Sequence, residues 1–84
     1  MDRKYKFYAS HDRQELSCHV WLNKQYKGRF IRYKDGSVLD ISHSMDPVTH
    51  DLEMHSFMRL SLQWLTDPQT ISAEELFELD NINI

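Results

Sequence analysis

The sequence predicts a single α+β domain, in which a four-stranded antiparallel β-meander is followed by one long and one short α-helix packed on one face of the sheet. Apolar and polar residues alternate with a period of two through much of residues 4–42, which is typical of half-buried strands. After Asp46-Pro47 the apolar residues recur at helical spacing. With only two Gly and two Pro in 84 residues, no linker divides the chain, so residues 1–84 form one predicted domain.

The first two strands are predicted from their alternation. Residues 4–9 place one apolar set on a single side, namely Tyr5, Phe7 and Ala9. Residues 16–22 do the same with Leu16, Cys18, Val20 and Leu22. A polar, turn-like stretch separates the two runs, which makes them a hairpin.

The third strand is predicted over residues 26–34 after a turn at residues 23–25, and its two faces are mixed. Ile31 and Tyr33 oppose Phe30 and Arg32, and Gly28 indicates a bulge.

A hairpin turn and a last strand complete the predicted meander. Asp35-Gly36 predicts a type I′ turn, because that turn needs positive φ at both central residues. The fourth strand follows over residues 37–42, with Leu39 and Ile41 facing inward.

A long helix is predicted over residues 46–66, with Asp46 as the N-cap and Pro47 at the first helical position. Seven apolar residues span an arc of about 200° when placed at 100° per residue: Trp64, Phe57, Met54, Leu65, Met58, Leu62 and Val48. One sheet covers about half of such an arc. A second surface is therefore expected to cover the rest, whether the last helix, a twin subunit or a partner.

The C-terminal residues predict a second, acidic helix. Asp67-Pro68 ends the long helix, and a capping box at residues 72–75 begins the next, which runs over residues 72–80. The tail at residues 81–84 contains two isoleucines and is expected to dock or to pair.

The net charge of −3 conceals two halves of opposite sign. Residues 1–34 hold nine Lys or Arg against three acids, whereas residues 35–84 hold one Arg against ten acids. This asymmetry indicates a charged partner surface, and the alternative is that the two halves neutralise each other within the domain.

Composition predicts a cytoplasmic protein without a membrane segment. The N-terminal residues lack the apolar stretch of a signal peptide, and no run approaches 18 apolar residues. Cys18 is the only cysteine, so an internal disulfide is excluded and a reducing compartment is favoured.

No catalytic or metal-binding motif is present, so the sequence predicts neither an enzyme nor a cofactor. The five histidines lack the paired spacing of a zinc site. Cys18 and His19 are neighbours on a predicted strand, so their side chains diverge and cannot act as nucleophile and base. With two glycines, the chain cannot build a glycine-rich phosphate loop.

The outer surface of the predicted sheet is the main candidate binding site. Basic and aromatic residues are expected to lie together there: Lys4, Lys6, Tyr8, His19, Trp21, Phe30, Arg32 and Lys34. A second candidate is the acidic helix with Glu74, Glu75 and Glu78. Aromatic residues and Arg are common anchors of protein interfaces, and rings flanked by cations also suit single-stranded nucleic acid. An ordinary sheet face, whose aromatics support strand pairing, is the remaining alternative.

These features predict a small non-enzymatic protein-binding domain, with a single-stranded nucleic-acid-binding module as the alternative. In size, acidic composition and lack of a catalytic motif, the chain resembles small phage or mobile-element accessory proteins, anti-CRISPR proteins among them. That resemblance carries no individual residue across, and it implies a regulator or stoichiometric inhibitor of a host protein. The expected partner is another protein, including a basic or nucleic-acid-binding one, and a homodimer would use Phe57, Met58 and Leu62.

Overall fold

The structure is a computed structural model that describes residues 2–67. Four strands, β1 (Arg3–Ala9), β2 (Glu15–Leu22), β3 (Gln25–Tyr33) and β4 (Val38–Ser42), form one antiparallel sheet in the order β1-β2-β3-β4. A single helix, α1 (Pro47–Thr66), follows them in this part of the chain. The predicted α+β class, the meander and the long helix are confirmed, whereas the predicted short helix and tail lie outside the described residues.

One side of the sheet packs against α1 and forms the hydrophobic core. The inward residues of β1 and β2 are all buried, as the alternation predicted: Tyr5, Phe7, Ala9, Leu16, Cys18, Val20 and Leu22. Phe30 of β3 contacts Phe57 of α1, with ring centroids 5.3 Å apart. About two helical turns further along α1, Trp64 is fully buried. We call this side of the sheet the inner face and the opposite side the outer face.

A buried polar contact joins α1 to β1. Glu53 is 1% exposed, and one of its carboxylate oxygens lies 2.6 Å from Nε of Arg3, which is itself 6% exposed. The Tyr5 hydroxyl donates a hydrogen bond to the other oxygen. Because both donors come from β1, Glu53 fixes the position of the helix along that strand.

The two turns of the β3 hairpins differ from the predictions. Asn23 and Lys24 have φ values of 51° and 67°, so the two-residue type I′ turn lies between β2 and β3. At Asp35-Gly36 only Gly36 has positive φ (93°), so the predicted type I′ turn is wrong there. A three-residue loop is formed instead, because the Asp35 carboxylate accepts hydrogen bonds from the backbone and side chain of Ser37.

The bulge indicated by Gly28 is present. His19 pairs with Arg29 and Trp21 pairs with Tyr26, so two residues of β3 lie opposite Val20 alone. Gly28 itself has φ of +89°, and a Cβ there would lie 2.8 Å from the Cα of Ser42 in β4.

The predicted inward orientation of Leu39 and Ile41 is wrong. They pair with Ile31 and Arg29 at outer-face positions, and each is 43% exposed. Asp40 takes the inner face instead, where Nε2 of His50 lies 2.6 Å from its carboxylate. The helix start thus contacts β4 through a polar pair, which a search for apolar alternation cannot find.

The sheet covers about half of the apolar arc of α1. Its buried residues are Glu53, Phe57, Ser61 and Trp64. Val48, Met58 and Leu62 lie at the other end of the arc and are 69%, 37% and 53% exposed. In the described residues this flank of α1 therefore remains uncovered, and Phe57, which is 1% exposed, is not available for the predicted dimer contact.

Candidate functional site

Four rings from three strands form a cluster on the outer face, which we call the aromatic cluster: Tyr8, His19, Trp21 and Tyr26. The bulge in β3 creates it, because it brings Tyr26 opposite Trp21 with ring centroids 5.0 Å apart. Tyr26 also stacks on His19 at 5.8 Å, and its hydroxyl lies 2.7 Å from Nδ1 of His19. These contacts hold the rings in fixed relative positions.

Cations surround the aromatic cluster. The ammonium groups of Lys4 and Lys6 lie 5.7 and 5.2 Å from the ring centroid of Trp21, within the range of a cation–π interaction. Arg29 lies opposite His19 across the β2–β3 ladder. Partial burial lowers the pKa of His19, and the charges of Arg29 and Lys6 lower it further. The imidazole is thus in a field that disfavours any additional positive charge.

A shallow, open depression of about 530 Å³ lies over the cluster. It is lined by Lys6, Tyr8, His19, Trp21 and Tyr26. Among strand residues at outer-face positions, the one carboxylate is Glu15, at the opposite end of β2. The depression therefore combines ring surfaces with positive charge, and it suits a group that is apolar or planar and carries negative charge nearby.

An apolar strip continues the outer face toward β4. Leu39 and Ile41 are exposed there, and Leu39 pairs with Ile31, which is buried. Ile41 pairs with Arg29, and Arg29 pairs with His19, so Arg29 lies between the strip and the aromatic cluster. Rings, cations and aliphatic side chains thus form one continuous surface across all four strands.

The structure divides the predicted sheet-face residues into two groups. Tyr8 and Trp21 lie on the outer face, as predicted, together with Lys4, Lys6 and His19.

Phe30, Arg32 and Lys34 were placed wrongly by the prediction. Phe30 is fully buried on the inner face, Arg32 is 8% exposed, and the Lys34 ammonium lies 5.6 Å from the ring centroid of Trp64 on the helix side. The extra residue at the bulge reverses the alternation that the first half of β3 suggests, which is the physical reason for the error. The other predicted binding residues, Glu74, Glu75 and Glu78, lie outside the described residues.

Sequence reasoning missed Tyr26, Arg29, Leu39 and Ile41 as members of the outer face. A two-residue turn at Asn23-Lys24 would have indicated Tyr26, since such a turn sets Leu22 opposite Gln25 and Trp21 opposite Tyr26. No comparable pattern in the sequence indicates the orientation of β4.

The described residues bring together neither a metal-binding cluster nor a cysteine–histidine pair. No group of three or more His, Cys, Asp or Glu side chains in this range could hold a metal ion. Cys18 lies on the inner face and is 1% exposed, whereas His19 is on the outer face. Burial, with the carboxylate of Glu53 as a second cause, raises the pKa of the Cys18 thiol.

No helix in this range is long and apolar enough to cross a membrane.

Comparisons of the chain with protein-family models, curated proteins and solved structures found no match.

Proposed function

We propose that the protein is a non-enzymatic protein-binding module that uses the outer face of its sheet. The observation that carries this proposal is the continuity of the aromatic cluster with exposed Leu39 and Ile41. Trp, Tyr and Arg are the residues that most often dominate binding energy at protein interfaces, and aliphatic neighbours exclude water around them. Contiguous exposed apolar groups of this kind are typical of interaction surfaces.

The charges on this face favour a partner that presents carboxylates at the contact. Lys4, Lys6 and Arg29 surround the rings, whereas Glu15 lies at the other end of β2 from Trp21. A basic partner was expected from Glu74, Glu75 and Glu78, and that version of the proposal rests on residues outside the described part of the chain. Electrostatic complementarity would mainly accelerate association and select among partners.

The role that we propose is a regulator or stoichiometric inhibitor of a host protein, of the phage or mobile-element accessory type with anti-CRISPR proteins as examples. The small size and acidic composition of the chain favour this role, and the arrangement of the rings supports the binding that it requires. The rings are carried on paired strands and contact one another, so binding requires little ordering of side chains, and a preorganised surface loses less entropy on association.

Affinity capture from a host lysate tests the proposal. Tagged protein is incubated with and without nuclease, and the retained proteins are identified. We expect one protein partner to be retained in stoichiometric amount, with or without nuclease. The Trp21→Ala and Tyr26→Ala variants should no longer retain it. Leu52→Ala is the matched control, because Leu52 is exposed on α1 and away from the sheet. Retention of the same partner by both ring variants, with their fold verified by circular dichroism, would contradict the proposal.

Single-stranded nucleic acid is a second candidate ligand of the same face. The specific observation that favours it is the position of Lys4 and Lys6 over Trp21, since bases stack on rings while phosphates bind cations. Residues 2–67 hold ten Lys or Arg and nine acids, so the excess negative charge of the chain lies outside this range.

Binding of a labelled single-stranded oligonucleotide, measured by anisotropy, tests this candidate. Affinity for the oligonucleotide should fall steeply as the salt concentration rises. The double variant Lys4→Gln/Lys6→Gln should bind more weakly and show a smaller salt dependence. Lys24→Gln is the control, because Lys24 is an exposed cation in the β2–β3 turn. An affinity that does not change with salt would exclude nucleic acid as the ligand.

A further inference from the structure

Two arginines are buried on the inner face of the sheet, and only one of them has a carboxylate partner among residues 2–67. Arg3 pairs with Glu53 at 2.6 Å. Arg32 is 8% exposed, and within residues 2–67 its Nη1 donates to Sδ of Met58 at 3.1 Å and to Oγ of Ser61 at 3.4 Å. Its Nε is buried and has no acceptor in the described part of the chain.

An unpaired buried guanidinium is unfavourable. A buried charge is normally neutralised by a partner, and a thioether sulfur is a weak acceptor. Trp64 adds a second buried donor, its Nε1, for which residues 2–67 supply no acceptor. The Lys34 ammonium lies over the same ring. This end of the helix–sheet contact therefore has two cations and no carboxylate partner among the described residues.

The surface beside these groups is apolar. Met58 and Leu62 lie on the uncovered flank of α1, 37% and 53% exposed, and Met58 is in direct contact with Arg32. A ligand for this place must therefore supply both a carboxylate and apolar side chains.

We propose that Arg32, Lys34, Met58 and Leu62 form a second docking surface, the helix-flank site, for an acidic amphipathic segment of a partner protein. A carboxylate of that segment accepts hydrogen bonds from the Arg32 guanidinium, and its apolar side chains cover Met58 and Leu62. Helices with one apolar face commonly use it to bind exposed apolar surfaces of a partner. The site shares no residue with the outer face. The proposal for either surface can therefore be disproved without affecting the other.

A synthetic peptide serves as the probe. It is a fluorescein-labelled, helix-forming 14-residue peptide with Leu at helical spacing and Glu elsewhere, and its control carries Gln in place of every Glu. We expect the Glu peptide to bind the full chain at least tenfold more tightly than the Gln peptide. The side-chain N–H resonances of Arg32 should shift on addition of the Glu peptide, which a purely structural role of Arg32 would not produce.

Variants of the full chain locate the contact. Arg32→Gln should reduce peptide affinity at least tenfold, and Leu62→Asp should do the same without affecting the buried core. Leu52→Asp is the matched control, since Leu52 is 47% exposed on the same helix but ten residues, or about 15 Å, away. Trp21→Ala should leave peptide binding unchanged, which separates this site from the outer face.

Four results would overturn the proposal. Equal binding of the Glu and Gln peptides would exclude the carboxylate contact, and full binding by Leu62→Asp would exclude the flank. A dimer detected by light scattering and dissociated by Leu62→Asp would assign the flank to a second copy. Tighter peptide binding by the variant Glu74→Gln/Glu75→Gln/Glu78→Gln would assign it to the chain's own acidic residues.

Discussion

Removal of the Glu53 carboxylate is predicted to be the most damaging single change to the helix–sheet contact. Glu53→Ala leaves Arg3 buried without a counter-charge and leaves the Tyr5 hydroxyl without its acceptor. The hydrogen bond from Tyr5 and burial of its ring together raise the pKa of Tyr5, with burial the larger cause, so the phenol remains a donor at all ordinary pH values. Both donors therefore need Glu53 throughout the stable pH range.

The magnitude follows from the burial of both partners. A hydrogen bond to a charged group contributes about 1.5–3 kcal/mol, and removing one partner of a buried ion pair costs about 3–5 kcal/mol. A domain of 84 residues has a free energy of unfolding of roughly 4–13 kcal/mol. Glu53→Ala is thus expected to remove a large share of the stability. Glu53→Gln retains an acceptor oxygen and is expected to cost about 1.5–3 kcal/mol.

Urea denaturation followed by far-UV circular dichroism measures these differences. The double variant Arg3→Met/Glu53→Leu should be more stable than Glu53→Ala, because it removes the stranded charge together with its partner. Glu15→Gln, which changes a carboxylate at the sheet surface, should stay within about 0.5 kcal/mol of the unmodified protein. A cost below about 0.5 kcal/mol for Glu53→Gln, or an apolar pair no more stable than Glu53→Ala, would refute the reasoning.

Three further predictions concern the backbone and the outer face. Gly28→Ala should cost about 3 kcal/mol or more in urea unfolding, because its Cβ would overlap the backbone of β4, whereas Gly36→Ala, with similar φ and open space, should cost about 1–2 kcal/mol. Lys24→Gly should raise the free energy of unfolding by about 0.5–1 kcal/mol, since Gly accepts the positive φ of the type I′ turn; a loss of stability would contradict the turn assignment. His19 should titrate below its ordinary pKa by NMR, and Arg29→Gln should raise that pKa. The unfolded state then binds the His19 proton first, so its contribution to stability is complete above about pH 6.5 and is lost as pH falls through the folded pKa.

The strands and the long helix could be predicted because their patterns are local. Alternation places Tyr5 and Phe7 on one face whatever the rest of the chain does, and Asp46-Pro47 combines an N-cap preference with a residue suited to the first helical turn. In the structure Asp46 is the N-cap and Pro47 the first helical residue, and the nearby Thr49 side chain and backbone lower the pKa of the Asp46 carboxyl.

The face assignments of β3 and β4 could not be predicted, because they depend on pairing between strands. One extra residue beside Gly28 exchanges the faces of everything that follows, and the sequence does not show on which strand the extra residue lies. Glu53 was missed for a related reason. Its partner Arg3 is 50 residues away, and apolar periodicity assigns a carboxylate to solvent.

The separation of charges within the fold distinguishes the two proposed surfaces. Asp12 and Asp35 are occupied locally: hydrogen bonds from Ser10 and Gln14, and from Ser37, lower the pKa values of these carboxyls. Both carboxylates remain charged within the loops that hold them, and neither belongs to a strand of the outer face.

Those exposed cations should make outer-face binding strongly dependent on salt, since ions screen exposed charges over about 8 Å at physiological ionic strength. Arg32 is 8% exposed and would be desolvated further by a bound segment, so its contact is screened much less. Raising the salt concentration should thus weaken the partner that is lost with Trp21→Ala far more than the peptide that is lost with Arg32→Gln. Equal salt dependence of the two interactions would mean that both ligands use the same cations, and the assignment of two independent surfaces would be wrong.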